Sequence, residues 1–130
     1  MFKRQAKLRG RDIIIFNGPD EQFVGGRLIG AEGGIGGTYG VMPEVYVKLD
    51  ELVKNGEFEK ARELQDAANE VTYAMCSGVG NMYAVAKAVL KKRAGLELGG
   101  VRAPLLNLEE SDEAVVEKAY NLVMKALELC

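Results

Sequence analysis

The sequence predicts an α/β fold in which two parallel strands, each followed by a helix, precede a segment that is helical throughout. Three observations predict it. Residues 12–17 form an unbroken apolar run rich in β-branched side chains, a glycine-rich stretch at 31–40 holds a second short strand, and apolar residues recur at helical spacing from residue 57 onward. Strands that alternate with helices build a parallel sheet with the helices outside it.

The first strand and helix are predicted between residues 12 and 29. The run Asp12–Asn17 shows no polar alternation, which favours a strand buried on both faces. Pro19 suits the first turn of the following helix, because its missing N–H would have no helical acceptor there. We predict that this helix ends near Ile29. Its predicted buried face consists of Phe23, Val24, Leu28 and Ile29.

The second unit begins with a predicted strand at Gly33–Ile35, followed by a glycine-rich loop. Pro43 opens the next helix, and Asn55 with Gly56 ends it, because glycine adopts the left-handed conformation that closes a helix. Residues 1–56 therefore form one predicted domain of two strand–helix units.

Residues 57–130 are predicted to form a helical extension. Its helices span 57 to about 77, 81 or 82 to 94, and 111 to the carboxyl terminus, with an irregular connector at 96–107. Gly95 ends the second of these helices, and Ser111 is the predicted N-cap of the third. The prediction rests on apolar residues that recur at spacings of three and four positions, as on one face of a helix.

Two short strands cannot form a stable sheet alone, because their outer edges would expose unpaired backbone groups. We therefore expect further strands from a second copy of this chain, from another polypeptide, or from an upstream part of the same protein. A complete (β/α)8 barrel requires about 250 residues, whereas this sequence has 130.

Composition excludes several classes of site. The sequence contains no histidine, which excludes Ser-His-Asp and Cys-His nucleophiles and the HExxH zinc site. Cys76 and Cys130 form no CxxC pair. We expect no metal site and no cofactor. One cysteine in a predicted helix and one at the carboxyl terminus fit a reducing compartment better than a secreted scaffold, so we expect a cytoplasmic protein.

The net charge of −2 is unevenly spread, because residues 1–11 carry five basic residues and no acid. This segment is either a basic arm for nucleic acid or anionic lipid, or a solvated helix face with Phe2 and Leu8 as its apolar positions. The second interpretation is favoured, because no aromatic residues or further basic stripe continue the pattern. No apolar run is long enough to span a bilayer. We therefore expect neither a nucleic-acid partner nor membrane insertion.

Two loops at the carboxyl ends of the predicted strands are the candidate site. In the first, Asp20 and Glu21 either accept hydrogen bonds from sugar hydroxyls or place negative charge at a helix start. In the second, Gly33–Thr38, successive backbone N–H groups either hold a carboxylate or phosphate or allow tight packing. The residues alone leave both pairs of alternatives open. The five tyrosines are expected to be packing residues rather than acids or bases.

Together the loops resemble the dihydrodipicolinate synthase/N-acetylneuraminate lyase family of class I aldolases. Gly18-Pro19-Asp20-Glu21 resembles the lyase-type Gly-x-Asp-Glu segment, and the stretch 33–40 resembles Gly-Gly-Ile-Gly-Ser-Thr-Tyr-Asn. The resemblance covers nearly the whole chain and favours the sialic-acid-lyase branch. It implies that residues 1–56 are the last two units of a (β/α)8 TIM barrel and that residues 57–130 are the family's helical carboxyl-terminal extension.

The resemblance also implies a function. The family forms a Schiff base with pyruvate and cleaves or makes a 2-keto sugar acid, with Gly18, Asp20, Glu21 and Gly37 matching positions that bind substrate. Here the family's serine is replaced by Gly37, and its asparagine by Gly40, which implies an altered substrate preference.

The family's Schiff-base lysine, catalytic tyrosine and carboxylate-binding loop lie upstream of the matched region, so no catalytic residue is assigned. We expect a truncated or split aldolase that is inactive alone and that pairs with a complementing amino-terminal half or with itself. The alternatives are a non-enzymatic half-barrel that oligomerises or binds a ligand, a phosphate-binding module, and a dihydrodipicolinate synthase-like or other keto-sugar-acid aldolase.

Overall fold

The computed structural model describes residues 2–130, and over this range the chain forms six helices and a two-stranded sheet. In chain order the elements are α1 (Phe2–Leu8), β1 (Phe16–Asn17), α2 (Phe23–Leu28), β2 (Gly33–Gly34), α3 (Pro43–Asn55), α4 (Phe58–Met75), α5 (Met82–Ala94) and α6 (Glu113–Leu127). Short 3₁₀ turns precede α2 and α6, at Asp20–Gln22 and Glu110–Asp112.

The predicted parallel strand pair is confirmed. Phe16 lies opposite Gly33, and Asn17 lies opposite Gly34. Two further backbone bonds extend the pairing, from the Glu32 N–H to the Ile15 carbonyl at 2.8 Å and from the Ile35 N–H to the Asn17 carbonyl at 2.9 Å. The carboxyl ends of both strands therefore open on the same edge of the sheet.

The predicted burial of the run 12–17 on both faces is wrong for the described residues. Ile14 is 71% exposed and Phe16 is 53% exposed, and regular strand structure is confined to Phe16–Asn17. The physical reason is the lack of cover. Among residues 2–130, β1 has α2 against it and β2 along one edge, whereas an apolar strand of this kind requires neighbours on both faces.

Helix α2, which was predicted to end near Ile29, is shorter than predicted. Only part of its predicted buried face is buried. Phe23 is buried, and Val24 packs against the core. Leu28 and Ile29 are 55% and 90% exposed, so the prediction is wrong for them. A helix of six residues has room for one buried turn, and here Phe23 and Gly26 occupy it.

The predicted helices after residue 40 are confirmed. Gly56 and Gly95 close α3 and α5 with φ values of 75° and 68°. Asn81 caps α5 by accepting a hydrogen bond from the Tyr83 N–H at 3.0 Å. The predicted Ser111 cap is wrong, because Ser111 lies inside the 3₁₀ turn before α6 and the capping pair is Glu109 with Asp112.

One hydrophobic core joins the helices and extends across residue 56. It includes Phe23 from α2, Leu49 from α3, Leu64 from α4, Val85 from α5 and Val123 from α6. The division into residues 1–56 and 57–130 stays a prediction. No helix within residues 2–130 is sufficiently long and apolar to cross a membrane.

Candidate functional site

An open cleft of about 640 Å³ lies at the carboxyl ends of β1 and β2. All four predicted substrate-binding residues line it. The first loop contributes Gly18, Asp20 and Glu21, and the second contributes Gly37. The cleft is lined in full by Gly18, Pro19, Asp20, Glu21, Ile35, Gly36, Gly37, Thr72, Cys76, Met82 and Tyr83.

The two loops are tied together by a buried hydrogen-bond network centred on Asp20. Its Oδ2 atom accepts from the Thr38 N–H at 2.8 Å and from the Thr38 Oγ1 hydroxyl at 2.6 Å. Thr38 Oγ1 also lies 2.7 Å from the Tyr46 hydroxyl. Because the threonine proton goes to the carboxylate, the Tyr46 hydroxyl is the donor in that contact. Asp20 and Thr38 are 7% and 0% exposed.

The sequence left open whether Asp20 binds sugar hydroxyls or places negative charge at a helix start, and the network gives it a further role. The residue begins the 3₁₀ turn before α2, but its carboxylate caps no helical N–H; it binds the second loop instead. Glu21 is half-buried, and among the described residues its carboxylate makes no hydrogen bond or ion pair. Glu21 therefore lines the cleft with both carboxylate oxygens unengaged by the described residues.

Gln65 fixes the first loop to α4. Its Nε2 donates to the Asp20 carbonyl at 3.1 Å, and its Oε1 accepts from the Val24 N–H at 3.0 Å. The side chain is buried, so these bonds form in a region of low dielectric constant and hold the loop firmly.

Close packing explains two glycines of the second loop. A Cβ atom on Gly34 would lie 2.1 Å from the Tyr39 hydroxyl oxygen, and one on Gly36 would lie 1.5 Å from Asp20 Oδ1. Neither position has room for a side chain. Gly37 differs, because its neighbours are cleft side chains at 3.0 Å or more.

Tyr39 and Tyr46 are packing residues, as predicted. Their rings stack with centroids 3.8 Å apart, and both meet Phe23 edge-on. Burial, reinforced by the negative charge of Asp20, raises the pKa of Tyr39 to about 12. Burial likewise raises the pKa of Tyr46. Both phenols therefore stay protonated near neutral pH and cannot act as bases there.

The helical segment forms the opposite wall of the cleft, which sequence reasoning missed. Thr72 and Cys76 lie four residues apart at the end of α4, and Met82 and Tyr83 begin α5. The spacing of Thr72 and Cys76 places them on one helix face. However, nothing in the sequence indicates that this face meets the loop at 18–21, which is more than 50 residues away.

Buried Asp112 holds the segment that leads into α5. Its carboxylate accepts from the N–H groups of Val79 at 2.7 Å, Gly80 at 2.9 Å and Glu109 at 2.9 Å. These backbone hydrogen bonds, that of Glu109 foremost, lower the pKa of Asp112 from its usual value. Asp112 thereby fixes where Tyr83 enters the cleft.

Comparison with known proteins identifies the family. The model of the dihydrodipicolinate synthetase family matches residues 2–122. The chain belongs to this family. It is 56% identical over 126 residues to an N-acetylneuraminate lyase of Mediterraneibacter gnavus, a match that covers 97% of this chain and 39% of the relative.

Solved structures show the same fold. A catalytic lysine mutant of Ruminococcus gnavus sialic acid aldolase superposes with a TM-score of 0.91 at 53% identity, covering 97% of this chain and 41% of that one. The Fusobacterium nucleatum N-acetylneuraminate lyase complexed with pyruvate superposes with a TM-score of 0.77 at 27% identity, over 96% and 40% of the two chains. The two strands and their helices are therefore a carboxyl-terminal part of a TIM-barrel aldolase fold, and the chain spans about two fifths of the length of these relatives.

The Thr38 network yields a stability prediction. Thr38→Val removes the hydroxyl but keeps the shape and the N–H bond to Asp20, so a buried carboxylate oxygen and the Tyr46 hydroxyl each lose a partner. We expect the free energy of unfolding to fall by about 1–3 kcal/mol, measured by urea denaturation. Thr38→Ser, which retains the hydroxyl, is the matched control and should lose less. Equal losses in the two variants would show that the hydroxyl network contributes nothing.

Proposed function

We propose that this chain forms the sugar-binding side of a pyruvate-dependent aldolase site for a 2-keto sugar acid of the N-acetylneuraminate type. The observation that carries the proposal is the convergence of Gly18, Asp20, Glu21 and Gly37 on one cleft. The cleft lies at the carboxyl ends of parallel strands, where barrel enzymes bind their ligands. A relative 56% identical to this chain is an N-acetylneuraminate lyase, which supports the substrate class.

The charges of the cleft suit hydroxyl groups better than an anion. Glu21 offers unengaged acceptors, and Asp20 adds a second negative charge to the same wall. A phosphate or carboxylate held there would be repelled by both side chains. The second-loop amides are also partly engaged, since the N–H groups of Ile35 and Thr38 already have acceptors. These features disfavour the phosphate-binding alternative and support recognition of a polyhydroxyl tail.

The carbon–carbon cleavage itself requires a lysine that these residues do not supply. Among the described residues, no lysine lines the cleft. A Schiff-base lysine must be desolvated, because only the neutral amine attacks the ketone. We propose that the catalytic lysine lies outside these 130 residues and that the chain alone is inactive.

Borohydride trapping tests the catalytic part of this proposal. Labelled pyruvate and sodium borohydride should leave the isolated chain unlabelled, because no desolvated lysine is present to form an imine. The full-length Ruminococcus gnavus sialic acid aldolase is the positive control, and intact-mass spectrometry gives the stoichiometry. One pyruvyl group per folded chain would overturn the assignment of the lysine to residues beyond this sequence.

Thiol protection tests the binding part, because Cys76 lines the cleft. In a Cys130→Ser variant, N-acetylneuraminate should slow the reaction of Cys76 with a thiol reagent, and Glu21→Gln should raise the half-protecting concentration roughly tenfold through loss of a charged acceptor. The Cys76→Ser variant reports on Cys130, which lies beside Pro43 and Glu44, and should show no protection.

The control substitution in the same assay is Glu63→Gln, which changes an exposed glutamate of α4 and should not alter the half-protecting concentration. An unprotected Cys76 at saturating ligand would contradict a sugar-binding cleft in this chain.

A second candidate function, self-association, is favoured by the exposed apolar surface around β1. Ile14, Phe16 and Ile29 are 71%, 53% and 90% exposed, and an uncovered strand edge pairs readily with another chain. We propose a homo-oligomer, or a complex with a complementing amino-terminal half, that covers this surface. We also propose a cytoplasmic location, since Cys76 and Cys130 are free thiols.

Sedimentation velocity tests self-association. The chain should sediment as an oligomer whose mass falls on dilution, and Phe16→Lys should shift it toward the monomer by placing charge on the apolar surface. Lys91→Glu, on an exposed part of α5, is the control. A compact monomer at every concentration would contradict an interface between copies.

A further inference from the structure

The cleft wall formed by α5 contributes a tyrosine that is not among the four predicted site residues. Tyr83 lies in the first turn of α5, lines the cleft and is 48% exposed. Among residues 2–130, its hydroxyl makes no hydrogen bond. A phenol that is unengaged and faces a polar cleft has one donor and its acceptor lone pairs available to a ligand.

The ring of Tyr83 lies in tight contact with the space that a side chain at position 37 would need. A Cβ atom built on Gly37 would lie 3.0 Å from Tyr83 Cε1 and 3.5 Å from its hydroxyl oxygen, with the Met82 methyl carbon at 3.3 Å. The first two distances place both the ring and the polar tip of Tyr83 beside position 37. A side chain at position 37 and the ring of Tyr83 would therefore compete for the same space.

We propose that Tyr83 is a specificity-determining residue of the cleft and that its hydroxyl, which lies beside position 37, hydrogen-bonds the ligand there. This inference rests on the proposed function, since it assigns a contact to the polyhydroxyl part of the same substrate. The absence of a side chain on Gly37 leaves room for the ring, and the phenol supplies a hydroxyl to that side of the cleft.

The position of Tyr83 is set by two anchors on neighbouring segments. Asn81 caps α5 through the Tyr83 N–H, and its own N–H donates to the Leu106 carbonyl at 3.0 Å. Asp112 holds the two residues before Asn81. The backbone that carries the phenol is thus fixed before ligand arrives, which lowers the entropic cost of using it in binding.

The chemistry of the two walls is complementary. Glu21 on the first loop can only accept hydrogen bonds when ionised, whereas the Tyr83 hydroxyl can donate as well as accept. A sugar tail presents groups of both kinds. The aromatic face also offers an apolar surface to the C–H groups of such a tail. A ligand without this tail, such as pyruvate, gains nothing from either wall.

The test is a set of dissociation constants for N-acetylneuraminate, measured on the whole 130-residue chain from amide shifts in NMR titrations. Tyr83→Phe should weaken binding roughly 3- to 10-fold, the effect of one hydrogen bond. Gly37→Ser should weaken it by itself, because its side chain crowds the ring, and combining it with Tyr83→Ala should recover affinity relative to Tyr83→Ala alone. Such non-additivity is the signature of residues that share one space.

Tyr73→Phe is the matched control, because Tyr73 is an exposed tyrosine of α4 outside the cleft lining, and it should leave the dissociation constant unchanged. An unchanged dissociation constant in Tyr83→Phe would overturn the role of the Tyr83 hydroxyl and leave the proposed function standing. Absence of wild-type binding would instead overturn the proposed function, and the role of Tyr83 with it.

Discussion

The bond between Asp20 and Thr38 is the interaction on which the geometry of the cleft depends. It joins the loop that follows β1 to the loop that follows β2, and it is buried, so water does not compete with it. Tyr46 extends the network into the core through α3. Because two short strands hold each other by few backbone bonds, the side-chain network rather than the sheet keeps the two loops in register.

The same interaction separates the two acidic residues by role. Asp20 binds the second loop through Oδ2, whereas Glu21, the next residue, lines the cleft and has no hydrogen-bond or ion-pair partner among the described residues. Both residues lie on one short 3₁₀ turn, but in the described part of the chain only Asp20 is tied to the second loop. The segment 18–21 thereby fixes the second loop and also forms part of the proposed binding surface.

The helical extension is an integral part of the cleft. Thr72, Cys76, Met82 and Tyr83 supply four of its eleven lining residues. Gln65 fixes the first loop by donating and accepting backbone hydrogen bonds, and Asp112 fixes the segment before α5 by accepting them. The surface around Phe16 has no such support among the described residues and is exposed. The firmly held part of the molecule is thus the side with the cleft, whereas the apolar strand surface is exposed.

Local pattern by itself predicted the helices after residue 40 and the two short parallel strands, and the resemblance of two continuous loops to a known family marked the candidate site. Glycines at positions 56 and 95 end helices for a reason that acts within a few residues, and the motif around Asp20 is continuous in the chain. Only the tertiary structure decided what those residues touch. The bond from Asp20 to Thr38 and the approach of Tyr83 to Gly37 join segments that are distant in sequence. Side-chain periodicity reports which face of an element is apolar, but it contains no information on which other element that face meets.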